Sequence, residues 1–196
     1  MQGDRAAQDG VMCTLLSAID TPRLQLRLLR ADENTDRALY CSLYADPDVM
    51  RRIAEPLSVD AAMRAFGNAC RHNLLGHPGH RFWRVNDIGS RSAIGLAALR
   101  RSGVRAEIGV MLFQEWWNRG ICSEVFVGLL KYGFEHAGLA GIDARSAEDE
   151  GLPVIERLLA PFGFLRLRSG APDGIGRWEL SRAAWEARQA QAGSGP

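Results

Sequence analysis

Apolar and polar residues alternate through Leu24-Gln25-Leu26-Arg27-Leu28, a period of two that predicts a first strand. The period changes after Asp32 and Asn34, which can start a helix running to about Ala45, where Asp46-Pro47-Asp48 ends it. Ser58-Val59-Asp60 opens a second predicted helix, through about Asn73. Three strands follow with no helical segment between them, over roughly 81–87, 92–101 and 105–112, and Arg101-Ser102-Gly103-Val104 joins the last two as a hairpin turn. Val125, Phe126, Leu129, Leu130, Gly133 and Phe134 then give residues 121–137 a helical period with a wide apolar face, stopped by Gly138 and Gly141. A short strand over 142–147 completes a strand–helix–strand unit, which implies a right-handed parallel crossover. A helix over 152–162 carries Pro153 in its first turn and Pro161 at its end. Strands at about 164–169 and 176–181 follow, and Trp185 falls in a last short helical turn. The expected fold is α/β: one mixed, largely antiparallel sheet of about seven strands, flanked by helices.

No sustained period precedes residue 20, and the chain closes on small and polar residues. The expected organisation is an N-terminal tail over 1–20, one domain over 21–188 and a C-terminal tail over 189–196. A length of 196 residues with 46% hydrophobic content suits a single core of that size. No apolar run approaches the roughly 20 residues of a membrane-spanning helix, and Asp9 and Asp20 flank the short N-terminal apolar stretch, so neither a membrane partner nor a secretory signal is expected. A net charge of +1, from 24 basic and 23 acidic residues without basic blocks, removes the electrostatic case for nucleic acid. Cys13, Cys41, Cys70 and Cys122 lie too far apart for a short-spaced framework and are read as reduced thiols of a cytoplasmic protein. Cys70, His72, His77 and His80 are the nearest approach to a metal cluster, but their spacing matches no common zinc pattern, and no metal is expected.

The chemistry concentrates in Ala106-Glu107-Ile108-Gly109-Val110-Met111-Leu112 and the following Phe113-Gln114-Glu115-Trp116-Trp117-Asn118-Arg119-Gly120-Ile121-Cys122-Ser123-Glu124. This is a strand, a polar loop with a glycine, and a helix start, an arrangement whose successive amides suit phosphate oxygens. Gly109 in mid-strand predicts a bulge or a close backbone approach by a ligand. The segment resembles the acyl-CoA-binding motif of the GNAT acetyltransferase superfamily, in the branch that acetylates ribosomal-protein N-termini (Rim-type). Ala106, Glu107, Ile108, Gly109, Leu112, Trp117, Arg119, Gly120 and Glu124 match that branch's pattern, and Thr21-Pro22-Arg23-Leu24 is similar to its opening. The resemblance implies a GNAT-like sheet splayed near Leu112 and acetyl-CoA as co-substrate. Backbone groups of Val110 and Leu112 would pair with the pantetheine arm. Amides from Trp117 through Asn118, Arg119, Gly120, Ile121, Cys122 and Ser123 would hold the pyrophosphate, helped by the Arg119 side chain and the Ser123 hydroxyl. Asn118 and Cys122 replace a glycine and an alanine of the pattern; both are small, and Asn tolerates left-handed backbone.

Glu107 is the candidate base, removing the acceptor's proton directly or through water. Its alternative is a solvated strand residue paired with an arginine such as Arg101 or Arg105. The branch places an Asn and a Ser at the start of the next helix. Asp149-Glu150-Gly151-Leu152-Pro153-Val154-Ile155 has neither, and the only tyrosines are Tyr40, Tyr44 and Tyr132, so no general acid is assigned. Trp116 would line an acceptor pocket or pack beneath the loop, Cys122 is not expected to act as a nucleophile, and His136 would be packed or surface-facing. The implied reaction is transfer of an acetyl group to a primary amine, of a peptide N-terminus or a small molecule, with a homodimer left open. The alternative of another class is a non-catalytic acyl-CoA-binding module; a metal protein built on the His72–His80 loop is a third.

Overall fold

The computed structural model describes residues 16–51, 53–75, 80–149, 151–167 and 174–193. Among these residues eight strands form one sheet: β1 (Ala18–Asp20), β2 (Leu24–Leu28), β3 (Arg81–Asp87), β4 (Ala93–Ser102), β5 (Arg105–Leu112), β6 (Gly141–Ala147), β7 (Leu165–Arg166) and β8 (Ile175–Ser181). Their order is β1-β2-β3-β4-β5-β6-β8-β7, and only β5 and β6 run parallel. The count exceeds the expected seven because Ala18–Asp20 pairs antiparallel with β2, so the end of the expected N-terminal tail is sheet. Cys13 lies outside the described residues.

Among the described residues six α-helices flank the sheet: α1 (Asn34–Ala45), α2 (Pro47–Met50), α3 (Val59–Asn73), α4 (Ile121–Lys131), α5 (Leu152–Leu159) and α6 (Arg182–Gly193). Asp46 does more than end α1. Its side chain accepts from the Asp48 and Val49 amides, and Pro47 occupies the first position of α2, so one residue closes a helix and caps the next. Ser58 caps α3 through the Ala61 amide. The single turn expected around Trp185 is a twelve-residue helix, extending into the expected C-terminal tail, with Trp185 stacked on Phe134 at 5.1 Å.

Strand alternation sorts the core into two parts. Ala106, Ile108 and Leu112 of β5 join Val125, Leu129 and Leu159 from α4 and α5 on one face. Met111 and Leu96 meet Tyr40, Leu43, Phe66 and Cys70 from α1 and α3 on the other. A fully buried Asp36 fastens the second layer to the sheet: it takes bonds from Arg27 at 2.6 Å, Arg84 at 2.7 Å and the Arg30 amide at 2.9 Å.

The bulge expected at Gly109 is absent. β4 and β5 keep one continuous register from Gly95↔Leu112 to Ser102↔Arg105, with Gly109 opposite Ala98. The sheet opens for a different reason: β5 pairs with β6 only through Arg105↔Gly141, Ala106↔Ile142 and Glu107↔Asp143, after which the parallel neighbours diverge.

Candidate active site

The divergence exposes one edge of β5. Phe113 donates its amide to the Ile94 carbonyl at 3.1 Å, and hydrogen-bonding direction alternates along a strand. Val110 and Leu112 therefore turn their N–H and C=O groups away from β4, toward the side where pairing with β6 has ceased. Trp117 Nε1 donates to the Leu112 carbonyl at 2.8 Å, which leaves the Leu112 amide and both Val110 groups along the opening. At Gly109 an added Cβ would meet nothing within 4 Å, so the strand's other face is unobstructed there.

The loop after β5 gathers backbone amides at a helix start. A short 3-10 turn over Gln114–Trp116 closes with the Trp117 amide on the Gln114 carbonyl at 3.0 Å. Asn118 (φ 58°) and Gly120 (φ 73°) then adopt left-handed backbone. α4 begins at Ile121, and its first backward bond runs from the Glu124 amide to the Gly120 carbonyl. The amides of Ile121, Cys122 and Ser123 have no intrahelical acceptor and sit at the positive end of the helix dipole. Arg119 lies 5.2 Å over the Trp116 ring, which is itself partly buried against the core. Ile121 is buried and anchors the turn. Burial pushes the Cys122 thiol up to about 12, so it is neutral at pH 7 and suits packing rather than nucleophilic attack.

A clamp holds this loop in place. Glu124 accepts from Thr21 Oγ1 at 2.6 Å, the Arg23 amide at 2.8 Å and Arg23 Nε at 2.6 Å, while Arg23 Nη1 donates to the Arg119 carbonyl at 3.1 Å. Against burial, which acts to raise it, the bonds from Thr21 and Arg23 hold the Glu124 carboxyl below its ordinary range. Thr21, Arg23 and Glu124 each stood in a motif, but no local signal joins positions about a hundred residues apart.

Glu107 stands at the last position of β5 that pairs with β6, on the α3 side of the sheet. Its partners are neither Arg101 nor Arg105. It forms ion pairs with Arg100, its cross-strand neighbour, and with Arg145 of β6 at 3.2 Å. Arg101 turns instead to the Gly103 and Ala137 carbonyls, and Arg105 to Asp143 and Glu179. Glu107, Arg100 and Arg145 line a cleft of about 540 Å³ together with His72, His80 and Phe82. His72 and His80 meet edge to face at 4.4 Å, and burial, then His72 and Arg100, lower the His80 pKa. His77 lies outside the described residues, and no group of three metal-ligating side chains occurs among those described. Tyr132 packs edge-on against Trp83, and His136 beside Tyr132. Tyr40 stacks on Tyr44, and burial raises its pKa further from neutrality.

The sequence profile of the acetyltransferase (GNAT) domain matches residues 23–150. The chain belongs to the GNAT acetyltransferase family. An uncharacterized N-acetyltransferase of Bacillus subtilis, YoaA, is 39% identical over 71 residues, 36% of this chain and 39% of that protein, so the match spans about two-fifths of the curated relative's length. The fold is similar to that of a GNAT-family acetyltransferase from Bacillus anthracis, with a TM-score of 0.68 and 21% identity, covering 85% of this chain and 99% of that one. It is also similar to spermidine N-acetyltransferase from Vibrio cholerae, solved in complex with CoA and spermine, with a TM-score of 0.70 and 20% identity over the same shares. No helix among the described residues of this GNAT protein is long and apolar enough to cross a membrane.

Proposed function

We propose that this protein transfers the acetyl group of acetyl-CoA to a primary amine, in the manner of the Rim-type branch its motif resembles. The observation that carries the reading is the open β5 edge running into a loop of free amides. An amide-rich arm would lie along Val110 and Leu112, and a pyrophosphate would sit on the amides of Asn118 through Ser123, the Trp117 amide expected there being taken by the Gln114 carbonyl, with Arg119 adding charge. Bound there, acetyl-CoA supplies its acetyl group activated as a thioester.

Glu107 lies where the edge opens, beside the position an acceptor nitrogen would take. Two guanidinium groups next to it disfavour a protonated ammonium and so favour the neutral, nucleophilic amine. The acceptor nitrogen forms the new C–N bond as the C–S bond breaks; its proton passes through water to Glu107, and the departing sulfur takes one from solvent. The test is release of CoA thiol from acetyl-CoA with a panel of primary amines. Glu107→Gln keeps the shape and removes the basicity, so turnover is expected to fall about 10²–10⁴-fold at nearly unchanged CoA affinity. Normal rates in that variant would make Glu107 a structural residue. The engagement of both Glu107 oxygens by arginines favours a second reading, a non-catalytic acyl-CoA-binding module; tight CoA binding with no turnover on any amine would establish it.

A further inference from the structure

We propose that the cleft beside Glu107 selects a small amine acceptor that also carries a carboxylate, with Arg145 and Arg100 as the groups that recognise it. The inference rests on the acetyl-transfer reading and adds the substrate class. The Glu107 side chain is only 21% exposed, whereas the side chains of the two arginines that flank it are 58% (Arg100) and 56% (Arg145) exposed. Apart from Glu107, no described residue of the cleft wall is acidic. Asp143, the β6 residue in register with Glu107, is held by Arg105, which also reaches Glu179 at 3.4 Å. Arg101, which also lines the cleft, keeps its charge but has its guanidinium turned to the Gly103 and Ala137 carbonyls rather than to Glu107.

The wall therefore presents one carboxylate between two accessible guanidinium groups. Its complement is a nitrogen placed at Glu107 with an anionic group within a few ångströms, where a planar guanidinium can engage a carboxylate through two parallel bonds. A polyamine meets the opposite pattern, two cations for each anion, and like-charge contacts penalise it.

The experiment measures acetylation of glutamate, methionine and phenylalanine, each as free acid and as carboxamide, together with spermidine. The free acids are expected to exceed their amides and spermidine in kcat/KM by roughly tenfold or more, the scale of one charge-assisted contact. Arg145→Gln should bring the acid-to-amide ratio toward one, chiefly through KM, and Arg145→Lys should restore part of it. Arg145 is more than half exposed, so neither change threatens folding. Preferred turnover of spermidine, or an acid-to-amide ratio untouched in Arg145→Gln, overturns this assignment and leaves acetyl transfer standing. Weakened CoA binding in Arg145→Gln, with acceptor selectivity intact, overturns it by giving the guanidinium to the co-substrate's own phosphates. Absence of turnover on every amine despite tight CoA binding overturns the acetyl-transfer reading, and this inference with it.

Discussion

Replacing Glu124 by Gln tests whether a distant strand turn sets the geometry of the loop proposed to hold the pyrophosphate. The carboxylate serves three donors, Thr21 Oγ1, the Arg23 amide and Arg23 Nε, and its side chain is only 14% exposed. Hydrogen bonds to a charged group contribute about 1.5–3 kcal/mol each when shielded. Arg23 is half exposed, which reduces its ion pair to about 1 kcal/mol or less. Gln keeps one acceptor oxygen for some of these donors, so the expected loss of stability is about 2 kcal/mol. The effect on binding follows from Arg23 Nη1, which tethers the Arg119 carbonyl. A released loop must be ordered again when ligand binds, and one residue's backbone entropy, about 1–2 kcal/mol, corresponds to roughly tenfold in Kd. Isothermal calorimetry with CoA and thermal unfolding read the two effects separately. Because the folded carboxyl lies below its reference value of 4.5, the clamp's contribution is full above that pH and is lost as pH falls through the folded value. The variant's stability should therefore converge on that of the parent in acid. An unchanged Kd for CoA, in a variant that is measurably destabilised above pH 5, would refute the coupling and make the clamp purely structural.

Gly120→Val forces a β-branched residue into left-handed backbone at φ 73°, a strain of about 1–3 kcal/mol, and crowds the amides of the loop; CoA affinity should fall strongly, and unchanged calorimetry would remove this loop from the binding site. Asp36→Ala leaves Arg27 and Arg84 facing an uncompensated pocket beneath α1 and should cost about 3–5 kcal/mol in urea unfolding, whereas a loss below about 1 kcal/mol would show that the network is not needed for stability. No tyrosine lies on α5, Tyr132 is buried and Tyr40 is raised by burial, so kcat/KM for a good acceptor should stay flat well above neutrality; an alkaline limb abolished by replacing Tyr40, Tyr44 or Tyr132 with Phe would show that a tyrosine supplies the leaving-group proton.

Local pattern carried a large part of this protein. The alternation in 24–28, the run of three strands from 81 to 112 and the helical period after residue 121 are properties of neighbouring residues, because strand and helix repeats are set by backbone geometry. The glycine loop was legible for the same reason: left-handed backbone at Gly120 and free amides at a helix start are local facts. Contacts distant in sequence were not legible. Gly109 suggested a bulge, yet the opening arises from β6 diverging after Asp143, which depends on how α4 returns the chain to the sheet. The short segment Ala18–Asp20 shows no period of its own and becomes a strand only because β2 offers an edge. The sequence offers Glu107 as a base or as the partner of an arginine such as Arg101 or Arg105. The structure pairs it across the strands with Arg100 and Arg145, because register, not sequence distance, decides which side chains share a face. The residue types of the loop thus determined its left-handed turn and its free amides, while packing alone decided that Thr21 and Arg23 brace it and that two arginines flank Glu107.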